Sequence, residues 1–182
     1  MSEPRFRSAV NADREGVQAL VFGVLAEYNL AADPAKTDRD LSDIESSYPA
    51  RGGCFEVLEN EAGDLIGCYG LYPLRDDICE LRKMYLRSDF RGRGLGKMIM
   101  RRALNQARTL GFRRVELETA SVLKEAIALY ESFGFRPFRP EHLSSRCDSA
   151  MFLDLTSETP EKGNPSPSAT WKKETPNREH VQ

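Results

Sequence analysis

The sequence is poor in the residues that hold metal ions and disulfide bonds. Of its 182 residues, four are cysteine and two are histidine. The cysteines are Cys54, Cys68, Cys79 and Cys147. They are widely spaced, and no pair has the short spacing of a metal or redox site. Neither His142 nor His180 has a second ligand at a suitable spacing. We therefore expect buried free thiols and no metal.

Long apolar runs are also missing. The longest, Ala19 to Ala26, is far too short to span a bilayer, and the first residues lead into no apolar signal core. The net charge is -2 and the pI is near 5.8, so the whole molecule has no bias toward nucleic acid or an anionic membrane. These features predict a cytoplasmic protein that binds neither membranes nor nucleic acid.

The composition changes at Thr156. Residues 156–182 are rich in proline and serine and have no apolar period, which is typical of a disordered tail. The remaining residues, 1–155, have the length of one ordinary domain with a substantial core. We expect one folded domain followed by a tail.

Strand-like and helix-like segments alternate through residues 1–155. A weak helix is predicted at about Thr37 to Ser47. Later, a strand from Asp77 to Leu86, a helix from Gly94 to Leu110 and a strand from Val115 to Thr119 follow one another. A strand, helix and strand in this order form a βαβ unit with a right-handed crossover, so the two strands should run parallel.

A glycine-rich loop joins the first strand of this unit to its helix. The loop runs from Arg91 to Lys97 with the sequence RGRGLGK, and three glycines allow a ligand to approach the backbone closely. The start of the helix offers free N–H groups and the positive end of its dipole. Eleven basic residues and one acid, Asp89, lie between Leu81 and Val115. The loop therefore predicts a site for an anionic ligand, such as a phosphate.

Two common phosphate motifs do not match this loop. A P-loop would need glycine at Arg91 and serine or threonine at Met98. A dinucleotide fingerprint would need glycine at Lys97 or at Ile99. What remains is Arg-x-x-Gly-x-Gly between a strand and a helix. It is followed about thirty residues later by Leu-Tyr-x-x-x-Gly-Phe at 129–135.

This pair of motifs resembles the GCN5-related N-acetyltransferase (GNAT) superfamily. The resemblance covers about Arg5 to Leu155. It implies an α/β (α+β) fold with a mixed, mostly antiparallel central sheet, a parallel βαβ unit at its centre and helices on both faces. It also implies a strand that splays away from its parallel neighbour, and acetyl-CoA as the acyl donor without a metal.

By the same resemblance, the loop would hold the pyrophosphate of acetyl-CoA through backbone N–H groups, and the end of the preceding strand would pair with the pantetheine arm. The implied cofactor-binding residues are Met84, Tyr85, Leu86, Arg91, Gly92, Arg93, Gly94, Leu95, Gly96 and Lys97. Members of the superfamily often have an asparagine near the start of the next helix that contacts the cofactor. Leu123 stands there in this chain, and Thr119 or Ser121 could partly replace that contact.

Two side chains are candidates for the chemistry. Glu80 matches the glutamate that accepts the proton of the attacking amine, although it could instead contact the substrate or form a structural ion pair with a neighbouring arginine. Tyr130 matches the tyrosine that protonates the leaving thiolate. It also belongs to an apolar helical stripe, so simple packing is the alternative.

The resemblance implies direct transfer of acetyl to a primary amine of a small molecule or peptide within a ternary complex. The acceptor should contact variable parts of the chain. These are the first helix with the segment after it, including Tyr28, Asp33, Asp38 and Tyr48, and the loop from Arg139 to Asp148. Acids would suit a cationic amine and arginines would suit a carboxylate, so the acceptor stays open. The oligomeric state, a homodimer included, is open too. The alternatives are a catalytically silent acyl-CoA sensor and a nucleic-acid binder that uses the basic cluster.

Overall fold

The computed structural model describes residues 4–155, and the predicted tail at 156–182 lies outside them. The helices are α1 (Arg14–Glu27), α2 (Ile44–Ser47), α3 (Leu95–Thr109) and α4 (Lys124–Ser132). The strands are β1 (Arg5–Ser8), β2 (Cys54–Glu59), β3 (Leu65–Arg75), β4 (Ile78–Leu86), β5 (Arg114–Thr119), β6 (Arg136–Phe138) and β7 (Ser149–Asp154).

Within these residues the seven strands form one sheet in the order β1-β2-β3-β4-β5-β7-β6. Only β4 and β5 are parallel neighbours, and every other neighbouring pair is antiparallel. The helix α3 connects β4 to β5, as the sequence predicts for a βαβ unit. The mixed, mostly antiparallel sheet with a parallel pair at its centre is therefore confirmed.

Helices cover both faces of the sheet because the side chains of each strand alternate between faces. On β2, Leu58 packs in the cluster under α3 and α4, whereas Val57 packs in the cluster under α1 and α2. The apolar side of α3 is buried at Ile99, Ala103 and Ala107. Leu110, the last residue of the predicted helix, lies just beyond the observed end at Thr109 and is 39% exposed.

The predicted helix from Thr37 to Ser47 is wrong in extent. The structure has a 3-10 turn at Arg39–Ser42 and then the single helical turn of α2. Asp43 separates the two because its side chain accepts a hydrogen bond from the Ser46 N–H at 3.0 Å and so begins a new helix.

A bulge in β4 separates the two parallel strands. Pairing of β4 with β3 shifts its register between Cys68 and Gly70, and Lys83, opposite this shift, has a φ of +54°. A side chain at positive φ is disfavoured by steric contact with the backbone. Pairing of β4 with β5 ends at Glu80 opposite Glu116. Beyond that point the two strands diverge and leave a gap between them.

A buried cluster of charged side chains holds the bulge. The Lys83 ammonium lies 2.8 Å from Asp38 Oδ1 and 3.3 Å from Asp40 Oδ1, and it donates to the Thr37 carbonyl at 2.8 Å. Arg146 donates two hydrogen bonds of 2.6 Å to the same Asp38 carboxylate. Because the Asp38 side chain is fully buried, its charge is compensated by these two cations and by the Asp33 N–H, which donates to Oδ2 at 2.9 Å, rather than by water.

Removing the charge of Asp38 should therefore destabilise the fold. In Asp38→Asn, Lys83 and Arg146 lose their shared counterion in a buried setting, and we expect the free energy of unfolding to fall by about 3–5 kcal/mol. Urea unfolding monitored by circular dichroism measures the loss. Asp76→Asn is the control, because Asp76 is exposed in the β3–β4 turn and should change stability by less than about 0.5 kcal/mol.

The same pair of variants should differ in the pH dependence of stability. Burial opposes ionisation of Asp38, but hydrogen bonds from Arg146, the Asp33 N–H and Lys83 outweigh it and hold the pKa of the carboxyl well below its usual value. This stabilisation is complete above the unfolded pKa, near 3.9, and is lost as pH falls toward the folded pKa. Asp38→Asn should lack this pH-dependent part of the stability. An equal loss of stability in wild type and in Asp38→Asn as the pH is lowered would contradict the prediction.

Candidate active site

The gap between β4 and β5 opens into a cleft of about 670 Å³. Its walls come from the end of α1 and the segment after it, β4, the glycine loop, the end of β5, α4 and the loop before β7. Most of the site residues predicted from the sequence line it, namely Glu80, Met84, Tyr85, Leu86, Arg91, Gly92, Gly94, Gly96, Lys97 and Tyr130. Folding therefore brings both motifs and the end of β4 to one place.

Two predicted cofactor residues do not line the cleft. The Arg93 guanidinium lies 5.4 Å from the centre of the Phe90 ring, and the Leu95 side chain packs against the core under α3. Their part in holding a ligand therefore stays a prediction.

The loop presents a row of free backbone donors. Gly92 and Gly94 have φ values of +74° and +79°, which glycine adopts without strain, and α3 begins directly after Gly94. No acceptor within residues 4–155 receives a hydrogen bond from the backbone N–H groups of residues 92–97. A Cβ atom at Gly92 or Gly94 would meet no heavy atom within 4 Å. This loop can therefore surround an anion at the positive end of the helix.

Arg91 fixes the loop to the rest of the fold. Its guanidinium lies 2.7 Å from the Glu27 carboxylate at the end of α1 and donates to the Leu86 carbonyl at 3.0 Å. It also lies 5.7 Å from the centre of the Tyr28 ring. The sequence predicts Arg91 as a cofactor-binding residue. In the structure its side chain contacts Glu27, Leu86 and Tyr28, and its buried Nη2 atom has no hydrogen-bond partner among residues 4–155. Arg91 positions the loop between α1 and β4.

Glu80 combines two of the features that the sequence left as alternatives. Its Oε2 atom accepts a hydrogen bond of 2.7 Å from Arg82 Nε and lies 2.6 Å from Arg82 Nη2, so the ion pair exists. The carboxylate also lines the cleft, with its side chain 13% exposed. Burial raises the pKa of the Glu80 carboxyl above its usual value although Arg82 opposes the rise. A raised pKa favours proton acceptance.

Tyr130 likewise both packs and faces the cleft. Its ring lies 5.9 Å from the ring of Phe135, centre to centre, and only 8% of the residue is exposed. No residue from 4 to 155 hydrogen-bonds its hydroxyl group. Burial raises the pKa of Tyr130 to about 12, so the hydroxyl stays protonated at neutral pH. It can donate a hydrogen bond to a group in the cleft.

Several residues that line the cleft were not predicted as site residues. Glu118 accepts a hydrogen bond from the Ser144 N–H at 3.0 Å and another from the Ser144 hydroxyl. Cys147 is a half-buried thiol whose pKa is raised by burial. His142 also lies on the wall. Alternation along β5 places Glu118 on the polar face of the strand, and the divergence from β4 exposes that face to the cleft.

Two residues that the sequence offered for binding the acceptor are not free to do so. Asp38 is fully buried and is bonded to Lys83 and Arg146, as described above. Tyr48 is buried in the core under α1, where its hydroxyl bonds to Asp40. Both were predicted wrongly because the sequence does not show their partners.

The basic cluster is not a continuous free surface. Six of its eleven members lie in ion pairs, namely Arg82, Lys83, Arg87, Arg91, Arg102 and Arg114. The other five, Arg93, Lys97, Arg101, Arg108 and Arg113, lie in no ion pair within residues 4–155. Within residues 4–155, no group of three or more metal-ligating side chains is placed to hold an ion. Each helix of that range is too short or too polar to cross a membrane.

Comparison with known proteins agrees with this geometry. The model of the acetyltransferase (GNAT) family matches residues 21–135. The uncharacterized N-acetyltransferase YjgM of Escherichia coli (strain K12) is 42% identical over 137 residues, which are 72% of this chain and 81% of that protein. Human N-acetyltransferase 8 is 37% identical over 103 residues, 53% of this chain but only 45% of that protein.

Solved structures share the fold. The GNAT-family acetyltransferase of Staphylococcus aureus Mu50 superposes with a TM-score of 0.79 at 20% identity, over 84% of this chain and 99% of that one. The phosphinothricin acetyltransferase of Sinorhizobium meliloti, solved in complex with acetyl-CoA, has a TM-score of 0.67 at 20% identity, over 89% and 95%. The family match, the E. coli relative and the shared fold together show that this chain belongs to the GNAT family of acetyltransferases.

Proposed function

We propose that this protein transfers the acetyl group of acetyl-CoA to a primary amine of a small molecule or peptide, by direct attack in a ternary complex. One observation supports the proposal most strongly. The row of free N–H groups at residues 92–97 stands beside the open gap between β4 and β5. A ligand that joins a diphosphate to a long, narrow arm would place the diphosphate at the N–H groups and the arm in the gap.

The residues present fit the donor along its length. The free N–H groups of the loop would hold the pyrophosphate, and the exposed side chain of Lys97 adds positive charge there. The inner edge of β4 from Met84 to Leu86 has no partner in β5, so its backbone can pair with the pantetheine arm like an added strand. The thioester supplies an acyl group that is activated toward an amine.

Glu80 would accept the proton of the amine. A primary amine with a pKa near 10.4 is protonated at neutral pH, and making it neutral costs about 4–5 kcal/mol. Both contacts from Arg82 are to Oε2 of Glu80, which leaves Oε1 available to the amine. Burial raises the pKa of this carboxyl, so it is a stronger base than an exposed glutamate.

Tyr130 would protonate the departing thiolate. Burial raises the pKa of its hydroxyl to about 12, so the group is protonated at neutral pH and has a proton to donate. The group has no described protein partner that would compete for the proton. The proton acceptor on β4 and the proton donor on α4 thus stand on different walls of one cleft.

A pair of glycine variants tests the loop. Gly94→Ala places a methyl group where the phosphate would lie, and we expect the Kd for CoA to rise at least tenfold. Gly111→Ala is the control, because Gly111 has a similar φ of +88° and equally open surroundings but lies outside the cleft. Calorimetric titration with CoA measures both. Wild-type affinity in Gly94→Ala would show that the loop does not hold the donor.

Glu80→Gln tests the proton acceptor. Removing the base should lower kcat/KM about 100-fold or more near neutral pH while leaving the KM for acetyl-CoA nearly unchanged. The wild-type rate should fall as pH drops through the raised pKa of Glu80, and the variant should lose this limb of the profile. Glu131→Gln, an exposed site on α4, should keep the wild-type profile. A variant profile that matches wild type would remove Glu80 from catalysis.

Tyr130→Phe tests the proton donor. We expect kcat to fall at least tenfold with little change in the affinity for CoA, because the ring still packs and only the hydroxyl is lost. Thiol release with a panel of primary amines measures the rate, and thermal unfolding checks the fold. An unaltered kcat would indicate that Tyr130 only packs against its neighbours. CoA binding without turnover of any amine by the wild type would instead favour the silent sensor.

A further inference from the structure

Thr119 carries a buried hydroxyl group without a partner. It is the last residue of β5, it is 3% exposed, and its Oγ1 atom has no hydrogen-bond partner among residues 4–155. Its backbone carbonyl does have one, the Asp148 N–H at 3.2 Å. Buried polar groups are nearly always paired, so an unpaired hydroxyl needs an explanation. The residue lines the cleft, which suggests that the missing partner is a ligand.

The position of Thr119 identifies the part of the ligand it would meet. Pairing of β5 with β4 ends three residues earlier, at Glu116, so Thr119 stands where the gap is open. Alternation along β5 puts it on the same face as Val115 and Leu117, which pack in the core that also contains Tyr130. Thr119 is therefore on the side of the sheet where the thioester end of the donor would approach Tyr130.

The neighbouring wall, formed by α4 and the residue before it, is mixed. Leu123, Ala126 and Leu129 line the cleft there with apolar side chains, and Glu125 and Tyr130 with polar ones. A pantetheine arm contains two amide groups, and each amide loses hydrogen bonds to water when it enters the gap. On the β4 wall the strand backbone can replace those bonds. On the opposite wall the Thr119 hydroxyl, which can donate one hydrogen bond and accept others, is available.

We propose that the Thr119 hydroxyl hydrogen-bonds an amide of the pantetheine arm and so fixes how deep the thioester lies relative to Tyr130. This inference rests on the proposed function, because it requires CoA in the cleft. It assigns Thr119 as a positioning residue for the donor. The alternative is that Thr119 only fills space as a β-branched strand residue.

Two substitutions separate these roles. Thr119→Val keeps the shape but removes the hydroxyl, whereas Thr119→Ser keeps the hydroxyl. Because the hydroxyl has no partner in the free protein, Thr119→Val should not lower the melting temperature. It should raise the Kd for CoA by roughly 3- to 10-fold, the contribution of one neutral hydrogen bond. Thr119→Ser should stay within about threefold of wild type.

A second ligand locates the effect. Adenosine 3′,5′-bisphosphate has nucleotide phosphates but no pantetheine arm, so Thr119→Val should bind it as tightly as wild type does. Calorimetric titration of the full chain with CoA and with the bisphosphate measures both. Unchanged CoA affinity in Thr119→Val, or an equal loss for both ligands, would overturn the inference while leaving the proposed function intact. Failure of the wild type to bind CoA would overturn both.

Discussion

The cleft between β4 and β5 depends on one lysine in the middle of a strand. Lys83 has a positive φ, a conformation that costs a residue with a side chain roughly 1–2 kcal/mol. The buried ion pair with Asp38 holds it there. Without this bulge β4 would continue beside β5, and the ladder would close the space that the ligand needs. The separation of the two central strands therefore costs part of the fold's stability.

The same carboxylate connects the bulge to the loop before β7, which forms another wall of the cleft. Asp38 also binds Arg146, which belongs to the loop that carries Ser144. Ser144 in turn donates two hydrogen bonds to Glu118 on β5. The bulge in β4 and a polar side chain on β5 are therefore fixed by one continuous network. Arg91 has a comparable function at the glycine loop, because its contacts hold the loop against α1 and the end of β4.

The parts that could be predicted from the sequence are those with a local signal. The βαβ unit follows from apolar periodicity, and the anion site follows from glycines between a strand and a helix. Position in the cleft was also predicted for Glu80 and Tyr130, but only through motif resemblance.

The parts that could not be predicted depend on distant partners. Lys83 meets Asp38 across 45 positions of sequence, and nothing near either residue reveals the pair. For the same reason Asp38 was mistaken for a residue that binds the acceptor. The unpaired hydroxyl of Thr119 is a tertiary property too, because a threonine at the end of a strand has no distinctive local pattern.

Hydrogen–deuterium exchange tests the central claim most directly, namely that the loop and the gap together bind the donor. In the free protein, the backbone N–H groups of residues 92–97 have no described acceptor and should exchange quickly. Saturating CoA should slow exchange in peptides that cover residues 92–97 and 84–86. Unchanged exchange in both peptides, under conditions where titration shows that CoA is bound, would contradict the account.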